Sequence, residues 1–296
     1  MALEHPPENA QTPSAVGSSA CTTTEVQNHY ARVALDVLEQ LDDQAICGCE
    51  SCDDTPSRTS EAKELYAREI MDNLPEGALA ASRGCGDPVA KAQLALGEVV
   101  VDLGSGGGID ALIAARFVGE TGYVYGIDMT YEMIELAERN AADAKVANVE
   151  FVQGTIEEIP LPDASVDVVL SNCVINFSDD KPRVMREACR ILKPGGRFVV
   201  SDIVSYAPIA KDAFEPLCRI VGCTKGMQSA ESYRMALEDA GFVDIMLEPK
   251  TTYTLDILEQ KARAKDRMRF FESIENDPAI EGASGSVIIY AYKPQN

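Results

Sequence analysis

The chain has 296 residues, 46% of them hydrophobic and 25% charged, enough to bury a sizeable core in one large folded unit or two smaller ones. Its formal net charge of −22 repels phosphate backbones, which excludes a nucleic-acid partner held by a basic surface and favours a small-molecule substrate. No apolar run approaches the roughly 20 residues that cross a bilayer, and MALEHPPENAQTPSAVGSSA lacks the basic flank and apolar stretch of a secretory leader, so no membrane association and a cytoplasmic location are expected.

Residues 1–24, rich in Pro, Ser, Thr and Ala, have the composition of a disordered arm. EVQNHYARVALDVLEQL (25–41) then carries apolar residues at helical spacing and runs into the cluster CGCESC, with Cys47, Cys49 and Cys52. A second helical stretch follows near SEAKELYAREI, the Gly and Pro of LPEGALAASRGCGDP mark a loop, and DPVAKAQLALG predicts a short helix. Together, 25–97 form a helical, cysteine-bearing N-terminal segment. Over 98–204 short Val and Ile runs alternate with amphipathic helices, from EVVVDLG to GRFVVSDIV. That alternation predicts an α/β fold, a doubly wound and mostly parallel sheet of Rossmann-like type, covered on both faces. The remaining stretch, 205–296, adds a helix (SAESYRMALEDAG), a strand (VDIMLEP), a helical insertion near 255–275 and a final strand (SVIIYAYKP). Its two strands are expected to close the sheet with an antiparallel edge.

Nine cysteines without a secretory leader argue against a structural disulfide framework, since cytosolic thiols are kept reduced. Metal binding, thiol chemistry and core filling are the remaining uses. Cys173 ends the apolar run VDVVL in SNCVIN, at the carboxyl end of a parallel strand, where open sheets bind ligands. A free cysteine is ordinarily a small core hydrophobe, but this one stands where a buried strand runs out toward an expected ligand cleft. Cys85 in SRGCGDP sits between glycines, a poor place for a core residue, and Cys223 in IVGCTKG has a similar setting. Cys189, four residues after Met185, reads as helix core; Cys218 reads equally as bystander or substitute thiol, and Cys21 as incidental. The 47–52 cluster is also a zinc half-site in spacing, with Cys85 the nearest fourth ligand.

VVVDLGSGGGID (99–110) places Asp102, Gly104, Ser105 and Gly106 between a strand and a helix, where glycines allow a tight turn and close approach of a ligand to backbone N–H groups. Its spacing is G-x-G-x-G with Ile109 next, so the dinucleotide fingerprint is not met. Asp128 ends the following strand in YGIDMT, a carboxylate suited to two ribose hydroxyls. With the KPGGRF break, this set resembles the class I methyltransferases that use S-adenosylmethionine (SAM). The resemblance implies that Asp102, Gly104, Ser105 and Gly106 receive the methionine end and Asp128 the ribose. It places Met129, Thr155, Ile156 and Glu157 around the adenine, and Asn172 and Cys173 facing the sulfonium methyl.

A narrower resemblance rests on LPEGALAASRGCGDP, VVDLGSGGGID, GIDMT, SNCVIN, RILKPGGRFVVSDIV and the Gly-Cys at 222–223: together they resemble the arsenite methyltransferases over about residues 62–225. The resemblance implies that Cys85, Cys173 and Cys223 bind trivalent arsenic, a soft centre suited to thiolates, supplied as arsenite or its thiol conjugates. It also implies a redox pair made of Cys85 and one cysteine of the 47–52 cluster, such as Cys47 or Cys49, reduced by thioredoxin or glutathione, and a role for 205–296 in completing the acceptor site. Two places depart from the family pattern: three cysteines stand in AICGCESCDD, and TKGMQ follows Cys223 where relatives are more apolar. A methyltransferase of a small organic acceptor such as a quinone or thiol, and a non-enzymatic metalloid or zinc binder on the same fold, are the competing readings.

Overall fold

The protein is described here from a computed structural model covering residues 22–47, 65–209, 213–214, 217–218, 226–261 and 280–295. Val-rich segments form the strands β1 (Val99–Leu103), β2 (Tyr123–Asp128), β3 (Val149–Gln153), β4 (Val166–Asn172) and β5 (Leu192–Ser205). The short β6 (Gln228–Ser229), then β7 (Val243–Thr252) and β8 (Ser284–Tyr292), complete one sheet of order β3-β2-β1-β4-β5-β8-β7, with β6 beside β5. β1 to β5 run parallel, and β8 runs antiparallel to both β5 and β7. The expected doubly wound sheet with a closing antiparallel edge is therefore present.

Adjacent residues of each central strand enter opposite cores because strand side chains alternate. Val100, Val168, Val199 and Ile288 pack on one face, under α4 (Pro88–Lys91), α5 (Ile109–Val118) and α6 (Tyr131–Asp143). Val101, Val169, Val200 and Ile289 pack on the other, under α7 (Lys181–Ile191) and α8 (Ala230–Asp239). Both faces being covered, the strands need no polar face, which is why they read as continuous apolar runs. β1 and β4 are neighbours at the centre of the sheet, so a crevice opens beyond their carboxyl ends. The long N-terminal helix α1 (Thr23–Cys47) closes one side of it: Val33, Ala34 and Val37 pack on Met133 and Leu136 of α6 and on Ala80 and Ala81.

Three local expectations change. The segment expected to be a loop before residue 88 contains α3 (Glu76–Ala81), entered from Pro75 and built on an alanine-rich turn buried against α1; α2 (Arg68–Met71) precedes it. Residues 74–75 and 82–87 remain irregular. The KPGG break instead belongs to β5, where Gly195 N–H donates to the Lys293 carbonyl and Lys293 N–H to that of Gly196. α1 begins at Thr23, just inside the arm expected to reach 24; residues 1–21 lie outside the described residues, as do Cys49, Cys52, Cys223 and 262–279. Cys47 is the last residue of α1, and α9 (Leu255–Lys261) forms the start of the expected insertion. Among the described residues no helix is long and apolar enough to cross a membrane.

Candidate active site

The turn 104–108 between β1 and α5 is tied to the neighbouring strand: Gly104 N–H and Ser105 N–H both donate to the Ile127 carbonyl, at 2.7 and 3.0 Å. Glycine is required at 104, with φ of 75°, because a Cβ there would lie 2.4 Å from the Val174 side chain. At Gly106, φ 51°, a Cβ would meet nothing nearer than Met133 Sδ at 4.0 Å, so this backbone faces open space. The Asp128 carboxylate at the end of β2 is oriented by two N–H donors, Gly106 to Oδ2 and Thr130 to Oδ1, each at 2.9 Å.

These groups border a cleft of about 1040 Å³, part of it open to solvent. Asp102, Gly104, Ser105, Gly106, Asp128, Met129, Thr155, Ile156, Glu157 and Asn172 all line it, and Cys173 joins them at its β4 end. Its walls are rich in carboxyl groups. Burial, reinforced by the neighbouring Asp110 and Asp128, pushes the Asp102 carboxyl well above the usual range; burial likewise raises Asp110 and Asp128. Carboxyls crowded in this way favour a cationic ligand. The Ser82 and Ser105 hydroxyls, buried and lining the same cleft, have no hydrogen-bond partner among the described residues.

Beside the cleft Cys85 and Cys173, 88 residues apart, are joined in a disulfide with a Cα–Cα distance of 5.9 Å. Both glycines around Cys85 are required by close approach: a Cβ on Gly84 would lie 2.4 Å from Asn172 Nδ2, and one on Gly86 would lie 2.2 Å from Ser201 Oγ. Asn172 fastens this loop to the strand end. Its Oδ1 accepts from the N–H groups of Cys85 (2.9 Å) and Gly86 (3.3 Å), while Nδ2 donates to the Gly86 carbonyl (2.8 Å), Asp110 Oδ2 (3.0 Å) and Tyr66 Oη (3.3 Å). Ser201 holds the other side, its carbonyl accepting from Cys173 N–H at 2.8 Å and its Oγ lying 3.3 Å from Cys85 Sγ. Cys173 itself adopts φ 62°, an uncommon left-handed conformation for a residue with a side chain. Ile203, Leu217, Cys218, Met227 and Tyr253 pack around the pair and keep its far side apolar.

Cys85 is bonded here to Cys173; of its expected redox partners, Cys49 and Cys52 lie outside the described residues and Cys47 ends α1. Cys223 and the zinc-like spacing at 49–52 fall outside the described residues. Among the described residues no group of three or more His, Cys, Asp or Glu is arranged to hold a metal ion. Cys218 is buried in the cluster around the disulfide, and Cys189 is half-buried on α7 against the core, its thiol raised by burial.

Asp110, Ser201, Tyr30 and Tyr66 take places at the site that the sequence analysis did not assign to them. Tyr66 Oη donates to Asp110 Oδ1 at 3.0 Å, and burial beside that carboxyl raises the phenol well above its ordinary value, keeping it a donor. Tyr30 lines the cleft edge-on to Phe177, with ring centroids 6.0 Å apart. Asp110 carries a faint signal, an acid in the first turn of a helix, which reads equally as a response to the helix dipole.

Residues 95–247 match the family described as methyltransferase domain. The arsenite methyltransferase of Halobacterium salinarum is 39% identical over 238 residues, 79% of this chain and 60% of the relative; the chain thus spans about 60% of that protein's length. The arsenite methyltransferase of Aquipseudomonas alcaligenes is 34% identical over 278 residues, 90% of this chain and 76% of the relative. The crystal structure of an arsenic(III) S-adenosylmethionine methyltransferase from Chlamydomonas reinhardtii superposes with a TM-score of 0.56 at 29% identity, covering 81% of this chain and 74% of that one. Fold, cleft and relatives agree, and the chain belongs to the arsenite methyltransferase family, built on the methyltransferase domain.

Proposed function

We propose that the protein is a SAM-dependent enzyme that methylates trivalent arsenic held by its cysteines. The observation that carries this reading is the convergence of Cys85 and Cys173 at the end of β4, against a cleft walled by Asp102, the glycine turn and Asp128. The cleft suits SAM on its own features: carboxyl-lined walls that a sulfonium and an ammonium group would draw to their ionised form, a fixed carboxyl for a diol, two buried hydroxyls without a partner among the described residues, and Gly106 backbone facing open space. When bound there, SAM supplies an electrophilic methyl group. Asp128 holds the ribose, Met129 and Thr155–Glu157 the adenine, and Asp102 the methionine end.

The protein's remaining work is to present arsenic. Cys85 and Cys173, with Cys223 as the proposed third ligand, are soft donors that displace oxygen ligands from As(III) and leave its lone pair as the nucleophile. Asn172 and Ser201 fix where the two described sulfurs sit, so orientation supplies much of the rate and no general base is needed on the acceptor. Gaining a methyl group formally oxidises arsenic by two electrons. Two thiolates return those electrons and become a disulfide, and the Cys85–Cys173 bond is that oxidised form. An external thiol pair, from thioredoxin or glutathione in a reducing cytoplasm, then reopens it by exchange and is itself oxidised.

The direct test is chromatography with mass detection of arsenic species after incubation with arsenite, SAM and a thiol reductant, alongside Cys173→Ser. Methylated arsenic from the wild type, with SAM binding retained and turnover abolished in Cys173→Ser, is the expected result. Wild-type turnover by the variant would displace the acceptor site. Intact SAM binding without any methylated arsenic would turn the search to organic acceptors.

A further inference from the structure

Asp110, in the first turn of α5, and Tyr66, ahead of β1, are both buried, and the reaction proposed above makes no use of either. Both oxygens of the Asp110 carboxyl are nevertheless engaged. Oδ1 accepts from Tyr66 Oη and Oδ2 from Asn172 Nδ2, each at 3.0 Å, while the same Nδ2 lies 3.3 Å from Tyr66 Oη. Three residues from distant segments thus close a polar triangle, which an acid answering only the dipole of α5 would not need.

The Asn172 amide makes its other bonds with residues 85–86. Oδ1 accepts from the N–H groups of Cys85 and Gly86, and Nδ2 donates to the Gly86 carbonyl. Asn172 also directly precedes Cys173 in the chain. One amide therefore relates the two cysteines, reaching Cys173 through the backbone and Cys85 through hydrogen bonds. Held by the loop alone, that amide could turn about its own side-chain bonds and carry the loop with it. Asp110 and Tyr66 hold it from the opposite side.

We infer that Asp110 and Tyr66 are positioning residues of the thiol pair: by bracing Asn172 they keep Cys85 beside Cys173, and so set how readily the pair gives up two electrons and closes. This role deepens the reading above, on which it rests for the use of the pair in the reaction. On closure each thiolate contributes one electron and the S–S bond forms. In the proposed reaction both electrons pass to arsenic; with oxidised glutathione as acceptor they pass to its disulfide, which leaves as two glutathione thiols. A brace that already confines the reduced loop lessens the entropy lost on closure, so it favours the bonded state. Removing the brace should make the bond easier to reduce.

The test is the redox equilibrium of the 85–173 pair in the full chain, read by mass mapping of alkylated cysteines across glutathione buffers without SAM or arsenic. The proteins compared are the wild type, Asp110→Ala, Asp110→Asn and Tyr66→Phe. Asp110→Ala should weaken closure about tenfold, the contribution of one hydrogen bond, which raises the potential by about 30 mV. Asp110→Asn keeps an acceptor for Asn172 and should restore most of the loss; Tyr66→Phe should shift the potential the same way by less. A purely structural role would destabilise the reduced and oxidised protein alike, so lowered melting temperatures with wild-type potentials would overturn the inference. If Asp110→Ala does not fold, Tyr66→Phe carries the same comparison, and an unmoved potential there overturns it equally. The expected shifts in a protein that makes no methylated arsenic would place the failure in the reaction and leave the brace standing.

Discussion

Gly86 stands where the segment before β1 packs on β5, and its missing side chain lets the backbone beside Cys85 approach Ser201. A methyl group there would meet the buried Ser201 hydroxyl at 2.2 Å, so one of the two backbones has to move. Gly86→Ala should cost about 1–3 kcal/mol, the usual range for overpacking, and should hinder the 85–173 disulfide. Denaturant melting together with mass mapping of cysteine pairs measures both; unchanged stability with normal pairing would show that the loop yields freely. The Gly-Cys-Gly string announces this site in the sequence, because a cysteine flanked by glycines has no good packing explanation. Ser201 does not announce itself: it is one buried residue of a buried strand, and only the register of β5 against β4 brings it to Cys173. Asp110 is hidden for a similar reason, its partners Tyr66 and Asn172 coming from distant parts of the chain.

At the level of elements, the region behind Cys173 is fixed by a polar junction. The 3-10 turn Ile175–Phe177 follows Cys173, and from it Asn176 Nδ2 donates to Asp202 Oδ1 and to the Ile203 carbonyl of β5, both at 2.7 Å. Asn176 Oδ1 accepts from Gln228 N–H of β6, and Tyr233 of α8 approaches Asp202 Oδ2. Burial pushes the Asp202 carboxyl up to about 7, against the pull of the Ile203 N–H and of Asn176. An unfolded aspartate titrates near about 4, so between about pH 4 and 7 the folded state holds the extra proton. The associated stability is complete below the unfolded value and is lost as pH rises through the folded one. The melting temperature of Asp202→Asn should therefore fall less than that of the wild type between pH 5 and 8. Parallel slopes in a calorimetric pH series would rule this out. β6 illustrates what the sequence hides: its two residues have too little apolar content to declare a strand, and they pair only because β5 is already in place.

For the whole molecule, the doubly wound architecture was legible almost throughout, since strand–helix alternation with Val and Ile runs has few other folded outcomes. The glycine turn and both strand-end aspartates of the cleft were legible as well, because each sits at a fixed place in that architecture. What stayed hidden were contacts between chain-distant segments, including the contact of Cys85 with Cys173 and the burial of α3 against α1. β8 is the clearest whole-molecule dependence. It is antiparallel to both neighbours and stands between β5 and β7, so it carries the entire connection from the parallel sheet to its outer strand. Ile289, fully buried at its centre, pairs with Val200 and Leu247. Ile289→Asp would bury an unpaired carboxylate and should leave little folded protein, visible as loss of soluble yield and of a cooperative melt; a soluble, cooperatively melting variant would contradict that dependence.

The place of β8 also sets an order of events at the ribosome. β5 and β7 both emerge before the strand that lies between them, so each waits with an open hydrogen-bonding edge, and an open edge invites pairing with other chains. Shielding nascent chains during that interval, by slower expression or an added chaperone, should raise the yield of folded protein.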